Sequence, residues 1–372
     1  MSSDNRNKLF IIVQLPPPVH GASVMNSNVV NSRVIRENFD TIVLNLQFLT
    51  SIKEITMFSI RKIAKAFSYS FELAWKIHTV KPDLIYFSFS PKGYSFYRDT
   101  LYVFIIKSFR KKLVIHLHGQ GVKENQRNNF LRRRLYKAVF RDISVICLSE
   151  KLLYDIEDVY DGKPYIVPNG IEPIVTNKLK PIRSSSEISQ ILCISNYMLE
   201  KGIPDLIEAF KIIHDQGFIF SAKLVGAPID LSIEDLKQQV EKLHLADCIK
   251  ISGPLYGQEK VNVLLEADIF VLPSRNEAFP LVILEAMQCG LPVVATCEGG
   301  IPDMIIENET GLLVEKENPH KLAESIIRLI ENKRLRITMG ENGLRRFREY
   351  YSLEKFETNI LSTLNSIIES RV

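Results

Sequence analysis

Asp268-Ile269-Phe270-Val271-Leu272-Pro273-Ser274-Arg275-Asn276-Glu277-Ala278-Phe279-Pro280-Leu281-Val282-Ile283-Leu284-Glu285-Ala286-Met287 passes from a short apolar run, through a polar turn, into a second apolar stretch. Pro273 closes the first run, which reads as a buried strand. Pro280, with its fixed φ and missing N–H, suits the first position of a helix. A strand followed at once by a helix is half of a βαβ unit, and in open parallel sheets ligands bind at the carboxyl ends of the strands. Helix N-termini there turn free N–H groups outward and favour anions. Glu277 would stand at that mouth, and Glu285 a turn or so deeper.

Working outward, the same alternation fills the chain. The first half offers strands at Leu9–Val13, Thr41–Leu44, Leu84–Ser88, Leu113–Leu117, Ser144–Leu148 and Tyr165–Val167, with long helices at Ile55–His78 and Ser95–Phe109. The pattern restarts at Ile191–Ile194 and continues with Ser221–Val225, Ile249–Ser252, Ile269–Leu272, Pro292–Ala295 and Gly311–Val314. Between the halves lies a polar segment, Asn177–Gln190, rich in Ser and Lys, which is the natural boundary. The expected class is therefore α/β: two doubly wound domains facing across a cleft. No internal repeat competes with this reading.

Size and composition agree. A chain of 372 residues is long for one domain and suits two, and its 46% hydrophobic and 24% charged residues are an ordinary globular balance. No apolar run nears the roughly 18 residues of a membrane span, and Met1–Lys8 lacks a signal-peptide core, so a cytoplasmic protein is expected. Five scattered cysteines, Cys147, Cys193, Cys248, Cys289 and Cys297, show no C-x-x-C spacing and point to neither zinc nor a disulfide framework. Charge is uneven: residues 1–170 hold 25 Lys and Arg against 14 Asp and Glu, whereas residues 171–372 hold 22 against 29. The densest basic region runs from Arg110 to Arg141. Read as a helix, Leu131, Leu135 and Val139 share a face while Arg132, Arg133, Arg134 and Lys137 ring the rest. Two readings stay open, an interfacial helix on anionic lipid or a core-facing helix with a solvated basic side. No nucleic-acid recognition motif accompanies the charge, so a nucleic-acid partner is not expected.

Further polar clusters follow other strands. Ser195-Asn196-Tyr197-Met198-Leu199-Glu200-Lys201-Gly202 lies after the first strand of the second half, with Gly202 and Pro204 opening the next helix. A lone Lys at such a place is usually just exposed. Gln14-Leu15-Pro16-Pro17-Pro18-Val19-His20-Gly21-Ala22-Ser23 follows the first strand of all; Gly21 permits close backbone approach, Ser23 can cap a helix, and His20 is a weak ligand candidate. The stretch is not G-x-G-x-x-G, which leaves a nicotinamide enzyme without support. In Val114-Ile115-His116-Leu117-His118-Gly119, alternation puts both histidines on one side of a sheet, with His118 at the carboxyl end. A His there can donate to a ligand's oxygens or act as acid or base near neutral pH; the plainer reading is a buried structural histidine.

Taken together, Ser274–Val294, Gly290-Leu291-Pro292-Val293-Val294-Ala295-Thr296 and Gly299-Gly300-Ile301-Pro302-Asp303 closely resemble retaining glycosyltransferases of the GT-B fold, glycosyltransferase family 4. Their E-x7-E motif matches Glu277 and Glu285. The resemblance implies that Glu277 contacts the donor sugar, in the role often called catalytic, and that Glu285 accepts from the ribose hydroxyls. It puts Lys201 on the donor diphosphate, Gly21 in the loop facing diphosphate and acceptor, and His118 near the transferred sugar as a second catalytic candidate. The helix start at Phe279, Pro280 and Leu281, with the Gly299-Gly300 loop, would stabilise the departing phosphate. Family members carry Arg where this chain has Asn196, and an amide lacks the fixed charge and forked donors of a guanidinium, so Asn196 is expected among the donor-binding residues through a hydrogen bond, with Lys201 and helix N-termini carrying most of the stabilisation. Val167-Pro168-Asn169-Gly170-Ile171-Glu172 resembles a hinge segment, and Ile251–Leu255 the strand end that holds the base.

The domains so implied are residues 1–176, which bind acceptor; 177–352, which bind the nucleotide sugar; and a helix at 353–372 that returns to the first. The expected activity is transfer of a sugar, with retention, from a nucleotide diphosphate donor to a hydroxyl acceptor. The donor is expected to be a UDP-sugar rather than a GDP-sugar, with neither metal nor other cofactor. A saccharide or lipid-linked saccharide of bacterial surface polysaccharide assembly is the expected acceptor. An anionic membrane surface is a further expected partner, which would make the protein peripheral on the inner face of the membrane. Two other readings remain: a GT-B sugar-nucleotide epimerase, and a non-catalytic nucleotide-sugar-binding partner subunit.

Overall fold

A computed structural model describes residues 6–48, 60–174 and 188–370, and the chain divides into two compact units. Unit 1 comprises residues 1–170 and 353–372, and unit 2 residues 171–352. The break falls at Gly170–Ile171 rather than at residue 176, and most of the polar boundary segment lies outside the described residues.

Unit 1 contains β1 (Lys8–Val13), β2 (Asp40–Asn45), β3 (Leu84–Phe89), β4 (Lys112–Leu117), β5 (Ser144–Cys147) and β6 (Tyr165–Ile166) in one parallel sheet of order β2-β1-β3-β4-β5-β6. Runs such as Leu-Phe-Ile-Ile-Val and Leu-Ile-Tyr-Phe are apolar on both alternating sides because helices cover both faces of a parallel sheet. The helices are α1 (Gly21–Asn31), α2 (Arg33–Asn38), α3 (Ile60–Val80), α4 (Gly93–Ser108), α5 (Val122–Gln126) and α6 (Phe130–Phe140). The crossovers β2→β3, β3→β4 and β4→β5 all advance in one direction, so right-handed connections put α3, α4 and α6 on one face. The opposite direction of β1→β2 puts α1 and α2 on the other.

Unit 2 repeats the scheme with β7 (Ser189–Ile194), β8 (Phe220–Val225), β9 (Ile249–Ser252), β10 (Ile269–Leu272), β11 (Val293–Thr296) and β12 (Gly311–Val314), in order β12-β11-β10-β7-β8-β9. Its helices are α7 (Ile203–Asp215), α8 (Ile233–Lys242), α9 (Gly257–Glu266), α10 (Leu281–Gln288), α11 (Ile301–Met304), α12 (Pro319–Glu331) and α13 (Lys333–Arg346). The last helix, α14 (Leu353–Glu369), returns to unit 1, where it packs on α1 and α2. The Lys112 ammonium caps it, donating to the carbonyls of Ile367, Ile368 and Ser370 at 3.2, 2.6 and 2.7 Å. In each sheet the strand order reverses beside the first strand, between β1 and β3 and between β7 and β10, and those reversals mark the binding crevices of open sheets.

Local expectations shift in three places, and a fourth lies outside the described residues. Residues 49–59, including the expected start of a helix at Ile55, lie outside the described residues, and α3 is described from Ile60. His20, not Ser23, caps α1: the Ser23 N–H donates to His20 Nδ1 at 3.3 Å while the His20 N–H donates to Ser23 Oγ at 3.0 Å. Pro280 is the N-cap of α10 rather than its first residue, with ψ of 117°. Finally, α6 faces the core through Tyr136, Val139 and Phe140, so Leu131, Leu135 and Val139 form no exposed stripe; of the three, Leu131 is exposed.

Candidate active site

In unit 2 two of the expected residues, Lys201 and Glu277, meet at the reversal between β7 and β10. Lys201 ends a short 3₁₀ turn after β7, and Gly202, at φ +67°, starts α7. Any β-carbon on Gly202 would stand 2.0 Å from the Pro273 carbonyl, so only glycine lets the start of α7 close onto the end of β10. That approach brings the Lys201 ammonium to 2.6 Å from Glu277 Oε1 and 3.2 Å from the Asn276 carbonyl. Lys201 and Glu277 are largely buried, with 21% and 15% side-chain exposure. Glu277 Oε1 also accepts from the hydroxyl of fully buried Ser274 at 3.1 Å, and the Ser274 carbonyl in turn accepts from Thr296 Oγ1. One carboxylate oxygen is thus held twice. Oε2 takes no hydrogen bond from the described residues.

The Gly299-Gly300 turn fixes the same loop from the other side. At Gly299, φ is +53° and a β-carbon would lie 1.8 Å from the Glu277 carbonyl. The Gly300 N–H donates to the Ala278 carbonyl at 2.7 Å, so that N–H clamps the Glu277 loop instead of being presented to a phosphate as expected. A fork from Arg275 grips Asp205, in the first turn of α7, at 2.6 and 2.8 Å, and the third guanidinium nitrogen reaches Glu317 at 3.0 Å.

Beyond the loop, α10 begins with no side-chain cap, which leaves its first amides to a ligand. Phe279 is among the expected donor-binding residues; its ring is buried, edge-on to Tyr351 with centroids 5.9 Å apart, so the backbone is what it can offer. Glu285, in the second turn, accepts from the Lys260 ammonium at 2.6 Å through Oε1, whereas buried Oε2 has no partner among the described residues. A buried carboxylate oxygen without a donor is costly, and a pair of hydroxyls is the kind of group that satisfies it. Asn196 is half-buried and its amide makes no hydrogen bond to a described residue, while neighbouring Tyr197 is a structural pin: its hydroxyl donates to the Leu224 and Ser252 carbonyls, at 2.9 and 2.5 Å. Sequence reading missed Lys260, and Arg275 with Asp205, because these partners lie 25 and 70 positions apart with no local pattern joining them.

Unit 1 holds Gly21, His20, His116 and His118. Gly21 is the exposed first residue of α1 and its backbone has no positive φ. His116 Nδ1 meets the Tyr86 hydroxyl at 2.6 Å, and the His116 and His118 rings are 4.0 Å apart. His118 lies just past β4, and both its ring nitrogens are buried with no hydrogen-bond partner among the described residues. Burial, then the neighbouring charge of His20, pushes its pKa down to about 3. Its imidazole is therefore neutral at physiological pH, one ring nitrogen a donor and the other an acceptor. The following loop is fixed by buried Asp155, which accepts from the N–H groups of Gly121, Val122 and Lys123 at 2.9, 3.0 and 2.9 Å.

Two doubly wound parallel sheets, the last helix rejoining the first unit, define a GT-B fold. The same fold is found in a glycosyltransferase from Rickettsia africae (TM-score 0.76, 19% identity, 99% of this chain and 100% of that one) and in Anabaena HepE in complex with UDP (0.73, 20%, 97% and 100%). Residues 176–346 match the family model of glycosyl transferases group 1. The chain is 30% identical to an uncharacterized glycosyltransferase of Methanocaldococcus jannaschii over 244 residues, 65% of this chain and 65% of that protein. The Erwinia amylovora amylovoran biosynthesis glycosyltransferase AmsK is 35% identical over 61% of this chain. The matched segments thus span less than two thirds of either relative, 65% and 57%.

Proposed function

We propose that the protein is a retaining, metal-independent glycosyltransferase that moves a sugar from a nucleotide diphosphate, UDP rather than GDP, to a hydroxyl of a lipid-linked saccharide during surface polysaccharide assembly. The observation that carries the reading is the Lys201–Glu277 pair at the reversal between β7 and β10. An ammonium has three N–H donors; two are directed at Glu277 and Asn276, and the third is available to an arriving phosphate. Lys201 can therefore hold the leaving diphosphate without releasing the carboxylate.

In the reaction, the bond between the anomeric carbon and the diphosphate oxygen breaks, the acceptor oxygen bonds to that carbon, and the acceptor hydroxyl's proton passes to the departing diphosphate. Negative charge grows on the diphosphate, where Lys201 and the uncapped start of α10 stabilise it because they are fixed beforehand. Glu277 Oε2 accepts from sugar hydroxyls, and Glu285 Oε2 from the ribose. Neutral His118 contributes hydrogen bonds to a sugar. Support for UDP comes from HepE, whose structure holds it, and support for a polysaccharide product from the amylovoran relative.

Incubation with UDP- and GDP-sugars, with and without lipid-linked saccharide, tests this by release of nucleoside diphosphate. Release from one donor, abolished in a folded Glu277→Gln variant, is the expected result. No release from any donor would favour the non-catalytic reading, and epimerised donor without acceptor the epimerase.

A further inference from the structure

We propose that the outer face of unit 1, formed by α3, α4 and the start of α6, docks on an anionic lipid bilayer. On α3, Leu73 and Ile77 are buried against the sheet, and the opposite side of a sheet-covering helix should be polar. Instead Phe67, Phe71 and Trp75 recur there every four residues. On neighbouring α4, Tyr94, Leu101 and Phe104 form a second exposed line, and Phe130 and Leu131 stand at the start of α6. Phe71, Trp75, Tyr94, Phe130 and Leu131 are each between 68% and 77% exposed. Soluble surfaces rarely leave so many large side chains open in lines.

Charge selects the occupant. Residues 60–141 hold 18 Lys and Arg against four Asp and Glu, and of those four Asp99 is buried with Arg98 while Glu72 pairs with Lys76. Arg127, Arg134 and Lys137 are exposed and pair with no carboxylate among the described residues. A second copy of this face would oppose cation to cation. Nucleic acid would satisfy the charge and leave the aromatic lines in water. An anionic bilayer takes both, aromatic rings at the headgroup level and cations against the phosphates. No helix among the described residues is long and apolar enough to cross a membrane, so the face lies on it. This inference rests on the surface of unit 1 and not on the transfer reading; a protein that floats but releases no nucleotide would fail that reading and leave this one standing.

Trp75 is the only tryptophan, which makes it a direct reporter. Vesicles of phosphatidylglycerol and phosphatidylethanolamine should carry the protein on flotation and shift its emission to the blue, while phosphatidylcholine vesicles should do neither. Arg127→Glu/Arg134→Glu/Lys137→Glu and Phe67→Ser/Phe71→Ser variants, all at exposed positions and checked by circular dichroism, should each lower partitioning by on the order of tenfold or more. No flotation, flotation unchanged in both variants, or a blue shift that grows with protein concentration in the absence of lipid would overturn the proposal.

Discussion

Two glycines and one lysine hold the loop that carries Glu277. With a β-carbon at Gly299 placed 1.8 Å from the Glu277 carbonyl, Gly299→Ala must push that backbone aside. The variant should lose about 2 kcal/mol or more in urea unfolding and lose activity beyond what the unfolded fraction explains, since the carboxylate moves with the loop. Lys201→Gln keeps the size and a hydrogen-bonding head but removes the charge; kcat should fall by on the order of 10²-fold in the donor-release assay. His118 yields a pH prediction. Its pKa of about 3 in the fold lies below the ordinary 6.5, so the unfolded chain takes up the proton first and stability falls as pH drops below 6.5. Above that pH the effect is absent. By pH 5 the loss should be about 2 kcal/mol, and His118→Gln should show that much less pH dependence between pH 7 and 5 by urea titration.

At the scale of elements, all twelve described strands are legible in the sequence: the central ones, buried on both faces, as apolar runs bounded by polar turns, and the half-exposed edge strands such as Ile249–Ser252 as short β-branched segments in the same alternation. Alternation is not needed to find them: Ile269–Leu272 and Gly311–Val314 stand in the structure at the residues the apolar runs mark. Which face of α3 or α6 packs inward is not legible, since spacing gives a helix two faces without saying which one meets the sheet. Packing against the sheet turns Val139 inward and leaves Trp75 outward. The site is legible where glycines and carboxylates cluster in one segment, and illegible where it depends on a distant clamp. Arg275 to Asp205 is such a clamp, with 30% and 11% side-chain exposure. Arg275→Lys loses the fork between the Glu277 loop and α7; the thermal midpoint should fall by about 2–4 °C, and kcat/KM for donor should fall further than stability alone requires.

Across the whole molecule, unit 1 is built from both ends of the chain. Phe356, Ile360, Leu364 and Ile367 of α14 are buried, and at about 1.5–3 kcal/mol per apolar side chain their loss is comparable with the stability of a domain. A chain ending at Ser352 should therefore show hydrogen exchange accelerated in α1, α2 and β4, with β7 and β10 protected as before. Unit 2 holds the Lys201–Glu277 pair and the open Glu285 oxygen on its own elements, which makes its affinity for nucleotide the most direct test of the account. Thermal unfolding with UDP, GDP and ADP measures it, because a ligand that binds only the folded state raises the midpoint as its concentration exceeds its dissociation constant. UDP should raise the midpoint of the wild-type protein and leave Lys201→Gln and Glu285→Ala unmoved. An equal rise in those variants, or no rise with any nucleotide, would contradict the assignment of the donor site.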